Sequence, residues 1–410
     1  MKTPCRLLAG ALAAAALPLA AANRVSVTVT HGFAGARPAE TIVVPWKDLS
    51  ARLPGIVFDQ VIVRDAAGAV VPAQVIALQH AHKGPQPYEE LVFQHDFAAG
   101  EQKAVFTVEA SAAPAPEFPS RVHARYVPER YDDFAWENDR VAHRIYGPAL
   151  ELPPATKDQM TSSGIDLWAK RVRYPIIDRW YRKGHDGLHT DTGEGLDMYE
   201  VGTTRGLGGT GVWDGAELHV SRNWRTWRIL ANGPVRALFE LGYEPWDAGN
   251  VGNTGNGVMV TETKRFTVDP GRNLDEIAST FDFRAPKGAD GELTIAIGLA
   301  THGHLAQVEP MQDEQAGWIG LWERYRDPAD GNLGTGIVLS PEAKFAGVVA
   351  TPTQRLLLVK VKAGEPVRYF AGGGWDQSGD FPDAAAWRAY LADFAARLRA
   401  PLTVVLGPAP

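Results

Sequence analysis

Between residues 24 and 109 the chain is written in twos. The runs VSVTVTH, TIVVPW, GIVFDQVIVRD, VVPAQVIAL, EELVFQHDF and KAVFTVEA alternate apolar with polar residues, and turn-formers such as AAGA and FAAGEQ separate them. Successive side chains of a strand point to opposite faces, so this pattern predicts antiparallel strands with one face buried and one wet, and no helix of note among them. The connector ASAAPAPEFP, residues 110–119, cannot continue a ladder and predicts a boundary. Beyond it the strand-like runs are longer and richer in aromatic residues, from RVHARYVPER through FAWENDRVAHRIYGPAL to VRYFAGGGW. Only residues 381–399, FPDAAAWRAYLADFAARLR, read as an amphipathic helix, with Trp387, Leu391 and Phe394 at helical spacing to cap a sheet. Neither a strand-helix-strand rhythm nor a dinucleotide or phosphate-loop glycine pattern is present, which disfavours doubly wound nucleotide enzymes. The expected class is mainly β, antiparallel sheets packed face to face.

The first 22 residues carry Lys2 and Arg6, an apolar run and a small-residue end, Ala20 to Ala22, the pattern of a secretory leader cleaved near Ala22. The product is expected in the periplasm or outside the cell, with no membrane insertion. The one cysteine, Cys5, leaves with the leader, so disulfides, thiolate nucleophiles and Cys-ligated zinc are excluded from the remainder. Loss of Lys2 and Arg6 takes the net charge from −7 to −9, which argues against a nucleic acid partner. A length of 410 residues then suits a small β-sandwich-like module over residues 23–112 and one large sheet domain over 120–410.

Chemistry-bearing residues concentrate in WYRKGHDGLHTDTGEGLDMYEVGTTRGLGGTG, which holds His185, His189, Asp191, Glu194, Asp197, Tyr199 and Arg205 behind Trp180 and Tyr181 and ahead of Trp213. An imidazole titrates near neutrality and a neighbouring carboxylate fixes its tautomer, so His185 and His189 are candidate proton carriers. Gly184 and Gly187 argue against a helix that would set these two histidines for a metal. A second group, Trp136, Glu137, Arg140, His143 and Arg144, sits on a predicted strand, with Arg140 and Arg144 expected to pair with Glu137 and Asp139 and His143 expected in the core. Lys170, His82 and His302 add polar groups, and the tryptophans, twelve in all, offer plates on which sugar rings stack. DAGNVGNTGNG lacks the closing Glu of a calcium loop and reads as a plain turn-rich connection. No cofactor is called for, a divalent ion such as calcium being the weaker alternative.

The segments ENDRVAHRIYGPAL, SSGIDLWAKRVRYPIIDRWY, GEGLDMYEVGTTRGLGGTGVWDG and ANGPVRALFELGY resemble the bacterial family known as domain of unknown function 4861, over nearly the whole chain after the leader. The resemblance implies a galactose-mutarotase-like supersandwich and an exported protein that accompanies degradation of pectin and other uronate polysaccharides. On that basis the expected activity is β-elimination on a uronic-acid-containing glycan, which needs a cation on the carboxylate, a base for the C5 proton and an acid for the departing oxygen. Arg140, Arg205 or Lys170 would be the cation, His185 or His189 the base, Tyr199 or Tyr181 the acid. Trp136, Glu137, Trp180, Asp191, Glu194, Trp213, His82 and His302 would hold the anionic oligo- or polysaccharide. A glycoside hydrolase using two of Glu137, Asp191, Glu194 and Asp197, a mutarotase-like isomerase, and a non-catalytic glycan-binding protein are the alternatives.

Overall fold

The alternating runs do form antiparallel strands, which the computed structural model arranges in five sheets over the residues it describes, 23–80, 86–152, 159–249, 251, 257–284, 291–302, 307–325 and 327–408. The proposed leader, residues 1–22, and most of the DAGNVGNTGNG loop lie outside the described residues. Two of the sheets involve the N-terminal region. Strands Arg24–Thr30, Val61–Arg64, Val70–Val71 and Lys103–Ala110 are joined in one of them by Thr403–Pro408 from the far end of the chain, which pairs with Arg24–Thr30. The other comprises Arg37–Pro45, Ala73–Ile76 and Glu90–Phe97. Val25, Val27 and Val29 meet Ile42, Val44, Phe93 and Phe106 between them, which is the apolar half of the alternation turned inward. A short helix, Trp46–Arg52, interrupts the strands here, contrary to expectation. Leu49 is its one buried residue, so it carries no apolar stripe for periodicity to reveal.

The centre is an eight-stranded sheet in the order Thr226–Asn232, Ala237–Asp247, Met259–Val268, Leu274–Phe283, Pro366–Trp375, Asn332–Leu339, Trp318–Arg324 and Gln307–Asp313. On one face Phe239, Phe266, Ile277, Phe281 and Tyr369 share a core with residues of two further five-stranded sheets, among them Phe134, Trp136, Ile295 and Leu357. The opposite face is covered in halves. Helix Ala384–Leu398, started by the Asp383 side chain accepting from the Ala386 amide at 2.8 Å, lays Trp387, Leu391 and Phe394 on one half. Glycines make that seat: a Cβ at Gly334 would stand 2.7 Å from the Trp387 ring, and one at Gly336 2.6 Å from Leu391. The N-terminal module covers part of the other half, where Val92 and Ile76 meet Leu238. Among the described residues no helix is long and apolar enough to cross a membrane.

The segment FAWENDRVAHRIYGPAL is a hairpin instead of one strand. Asp133–Glu137 and Val141–Ile145 pair antiparallel, and the Asn138 side chain accepts from the amides of Arg140 and Val141 to close the turn. This reversal sets the register of the site.

Candidate functional site

The hairpin belongs to a sheet completed by His123–Val127, Ile165–Lys170 and Gly195–Leu196. Ala135, Ala142 and Trp168 of this sheet are covered by Ile176, Ile177, Trp180, Tyr181 and Leu188, so the glycine-rich segment acts partly as a lid of packed side chains. Two short helices build it, Ile177–Tyr181 and Gly184–Leu188. The second corrects the expectation drawn from Gly184 and Gly187: Gly184, at φ +73°, turns the chain into a single helical turn, too short for glycine's propensity cost to prevent.

Beneath the lid lies a buried charge cluster. Arg144 pairs across strands with Asp166 and donates Nε–H to its carboxylate at 2.7 Å; its Nη2 donates to Asp197 at 2.9 Å, and Asp133 lies 3.9 Å from Nη1. The Tyr146 hydroxyl donates to Asp166 and the Tyr181 hydroxyl to Asp133, each at 3.2 Å. Arg144 is 5% exposed and the three aspartates are buried. Burial pushes Asp133 up to about 6 against the pull of Arg144, and burial together with Asp166 pushes Asp197 well above the usual carboxylate range. Arg144 therefore does not pair with Glu137 and Asp139, as nearness in sequence suggested. Glu137 accepts from Lys170 at 2.6 Å and from the amides of Ile176 and Ile177, fixing the start of the lid helix, while Asp139 pairs with Arg121.

His189 stands at the edge of this cluster with 43% of its side chain exposed. Its Nδ1–H donates to the backbone carbonyl of Asp197 at 2.7 Å, and the Asp197 carboxylate lies 3.9 Å from the same nitrogen. A carbonyl oxygen only accepts, so the neutral ring carries its proton on Nδ1 and presents Nε2 as an acceptor. Two residues on, Asp191 pairs with Arg171 at 2.8 Å. Arg171 also donates to Gln377 at 2.6 Å and lies 4.7 Å from the centre of the Trp375 ring. The same turn ends in Asp380, which holds Arg140 at 2.5 Å and Arg173 at 2.8 Å. Arg140, Arg171 and Arg173 are 31%, 32% and 40% exposed, which gives a contact-linked strip of three cations against two carboxylates.

The remaining predicted residues lie elsewhere or inward. Lys170 is buried on Glu137 and the Asn138 carbonyl, and burial lowers its pKa. Arg205 is 2% exposed and donates to Ser163 and to the Thr203 carbonyl, burial lowering its pKa to about 10. Buried Tyr199 meets His302 edge to face, and His302 is gripped by Glu323 at 2.8 Å and by the Glu200 carbonyl at 2.7 Å. Trp180 and Lys183 donate to Glu194 and Arg179 pairs with it; with Tyr174 donating as well, these contacts outweigh burial and hold its pKa at about 2. Trp213 packs with Leu218 and Val349 on a distant sheet. His82, His304 and the side chain of His185 fall outside the described residues. Among those described, no group of His, Cys, Asp or Glu is placed to hold a metal ion. Nine of the twelve tryptophans are buried, leaving Trp46, Trp213 and Trp227 to reach the surface, so most serve the core instead of stacking on sugars. The strip's Arg171 and Asp380 were not singled out from sequence; the basic AKRVR run was the available signal for the first, and nothing local marked the second.

Trp136 donates its indole N–H to Asp275 at 2.9 Å, inside the core, with His143 3.6 Å from the same carboxylate. Burial pushes Asp275 up to about 7 and His143 down to about 4. An unfolded aspartate titrates near 3.8, so between these values the folded state holds the extra proton, and its stabilising effect is lost as pH rises through about 7. Above about pH 6.5 the His143 contribution is constant. The melting temperature should therefore fall between about pH 6.5 and about pH 8.5, and Asp275→Asn should flatten that fall. An undiminished slope in the variant would contradict the assignment.

A family model described as "Domain of unknown function (DUF4861)" matches residues 29–404. The uncharacterized protein P7 of Formosa agariphila is 31% identical over 392 residues, covering 92% of each chain. Among solved structures, an alpha-mannosidase from Enterococcus faecalis V583 aligns with TM-score 0.47 and 11% identity, and an Enterococcus faecalis protein of glycosyl hydrolase family 38 with TM-score 0.47 and 10% identity. Both alignments cover 93% of this chain, which spans about half the length of those proteins, 46% and 47%.

Proposed function

We propose, from the premise that this chain belongs to the family of domain of unknown function 4861, that it is an exported enzyme acting on uronic-acid-containing oligo- or polysaccharides by β-elimination. In this reading residues 23–112, whose sheet takes in the strand Thr403–Pro408, are an accessory β module, and residues 120–410 apart from that strand are a domain of the galactose-mutarotase-like supersandwich type. The observation that carries it is His189, half-exposed, with its proton anchored on the Asp197 carbonyl, two residues before Asp191, the carboxylate that holds Arg171 of the arginine strip. Nε2 takes the C5 proton of a bound uronate, and one of Arg140, Arg171 and Arg173 draws charge from the carboxylate to acidify that proton. The C4–O bond breaks as the C4–C5 double bond forms, and in a syn elimination the same imidazolium returns its proton to the departing oxygen. A separate tyrosine acid is then not required, which suits a Tyr181 hydroxyl already committed to Asp133. Hydrolysis by paired carboxylates fits less well, because Glu137, Asp191, Glu194 and Asp197 are each held by a cation.

The test is incubation with oligogalacturonides. Elimination gives an unsaturated uronate with strong ultraviolet absorbance; new reducing ends without that absorbance would mean hydrolysis instead. Binding with neither product would remove both enzyme readings.

A further inference from the structure

The outer face of the eight-stranded sheet is left open between the N-terminal module and helix Ala384–Leu398, and a cavity of about 680 Å³ occupies the gap. That volume lies within the roughly 300–1,000 Å³ typical of small-molecule sites. None of the predicted site residues lines it. Its floor is set by register. Arg265 stands opposite Ala278, and Ala278 opposite Arg368, so the two arginines flank one small residue at two strand spacings, about 9.6 Å. On the neighbouring rows, also facing outward, Glu276 lies opposite Phe370, and Thr263 lies opposite Thr280.

These side chains differ in their commitments. Arg265 is spent on Glu240, at 2.6 Å, and on the Leu78 carbonyl. Arg368 is exposed and makes no ion pair or hydrogen bond to another side chain among the described residues, its charge being felt through space by Glu342. The same absence of direct contacts holds for half-buried Glu276, which acts through space on Arg236 and Glu90, and for the hydroxyls of Thr263 and Thr280. An uncommitted guanidinium suits a carboxylate, an uncommitted carboxylate suits sugar hydroxyls, and a shallow Ala and Phe floor suits the C–H face of a pyranose. Six arginines line the cavity against four glutamates, which favours a negatively charged ligand; a simple anion would leave Glu276 and the threonine hydroxyls unanswered, and a neutral sugar would leave Arg368 unused.

We propose that this cleft is a second binding site, separate from the His189 strip, for one carboxylated sugar unit, with its carboxylate on Arg368 and its hydroxyls on Glu276, Thr263 and Thr280. The site stands on its own geometry and does not require that the protein be a lyase. In an elongated polyanionic chain it would hold a unit other than the one at the His189 strip.

Calorimetric titration of trigalacturonate into the full chain carrying His189→Gln and Arg171→Ala isolates the cleft from the strip. A binding event should persist there, and adding Arg368→Ala should weaken it about ten-fold or more, as should Glu276→Gln. Uncharged galactotriose should bind at least about ten-fold more weakly than the acid. Thermal unfolding of each variant shows that the fold is kept, and Arg368→Lys, which retains the charge, should recover part of the affinity. No binding in the isolating background, unchanged affinity in both cleft variants, or equal affinity for galactotriose would each overturn the proposal. Its outcome is independent of whether an unsaturated product forms, so failure of the lyase reading and failure of this one are separable.

Discussion

Replacing Arg144 with leucine should lower folding stability by about 3–5 kcal/mol, the range found when one partner of a buried ion pair is removed. The size follows from how many groups lean on this one side chain. Arg144 is the cation that Asp166 and Asp197 contact directly, with Asp133 at 3.9 Å, and all three carboxylates are buried. Burial opposes the charge of the arginine too, but the aspartates more than offset that, so its guanidinium stays charged. Without it the carboxylates must either ionise in a poor dielectric or take up protons, and leucine answers none of their lone pairs. Urea unfolding of the variant should show a lower midpoint with an unchanged slope, and neutralising two neighbours as well, with Asp166→Asn and Asp197→Asn, should recover part of the loss. A loss below about 1 kcal/mol would show that the cluster is held by something other than this cation.

The same cluster shows what was and was not legible in the sequence. Alternation revealed the N-terminal strands because Val25, Val27 and Val29 keep one face inward along a single segment. Helical spacing revealed Trp387, Leu391 and Phe394 for the same local reason. The partners of Arg144 obey no local rule. Asp166 reaches it by strand register and Asp197 by the lid's return, whereas Glu137 and Asp139, nearer in the chain, are turned away by the hairpin at Asn138. Tryptophan content could not separate sugar plates from core either: the rings of Trp136, Phe239 and Phe266 meet from strands more than 100 residues apart in the case of Trp136 and Phe239. The density of polar residues around His189 did mark the segment that forms the lid, although the glycines there concealed its one-turn helix. The outer cleft left no sequence signal, because its floor takes two or three residues from each of several strands and becomes a surface only when the register is set.

Changing His189 to glutamine should reduce turnover of an oligogalacturonide about 10²- to 10⁴-fold, the span associated with loss of a general acid or base. Glutamine keeps a comparable size and can still donate to the Asp197 carbonyl, so the fold and the loop should survive; its amide cannot accept and hold a proton as imidazole does. The loss should therefore fall on kcat, with KM nearly unchanged, because the residue acts on the reacting proton and not on the rest of the chain. Arg171→Ala should do the opposite and raise KM, since in the proposed reading the strip holds the carboxylates of the substrate, and removal of Arg171 also leaves the Asp191 charge uncompensated. The contrast between the two variants separates a catalytic imidazole from a merely structural one. If both lower kcat and melting temperature together, the loop is being unfolded and His189 is no base; if His189→Gln keeps turnover within about three-fold of the parent, some other group takes the proton.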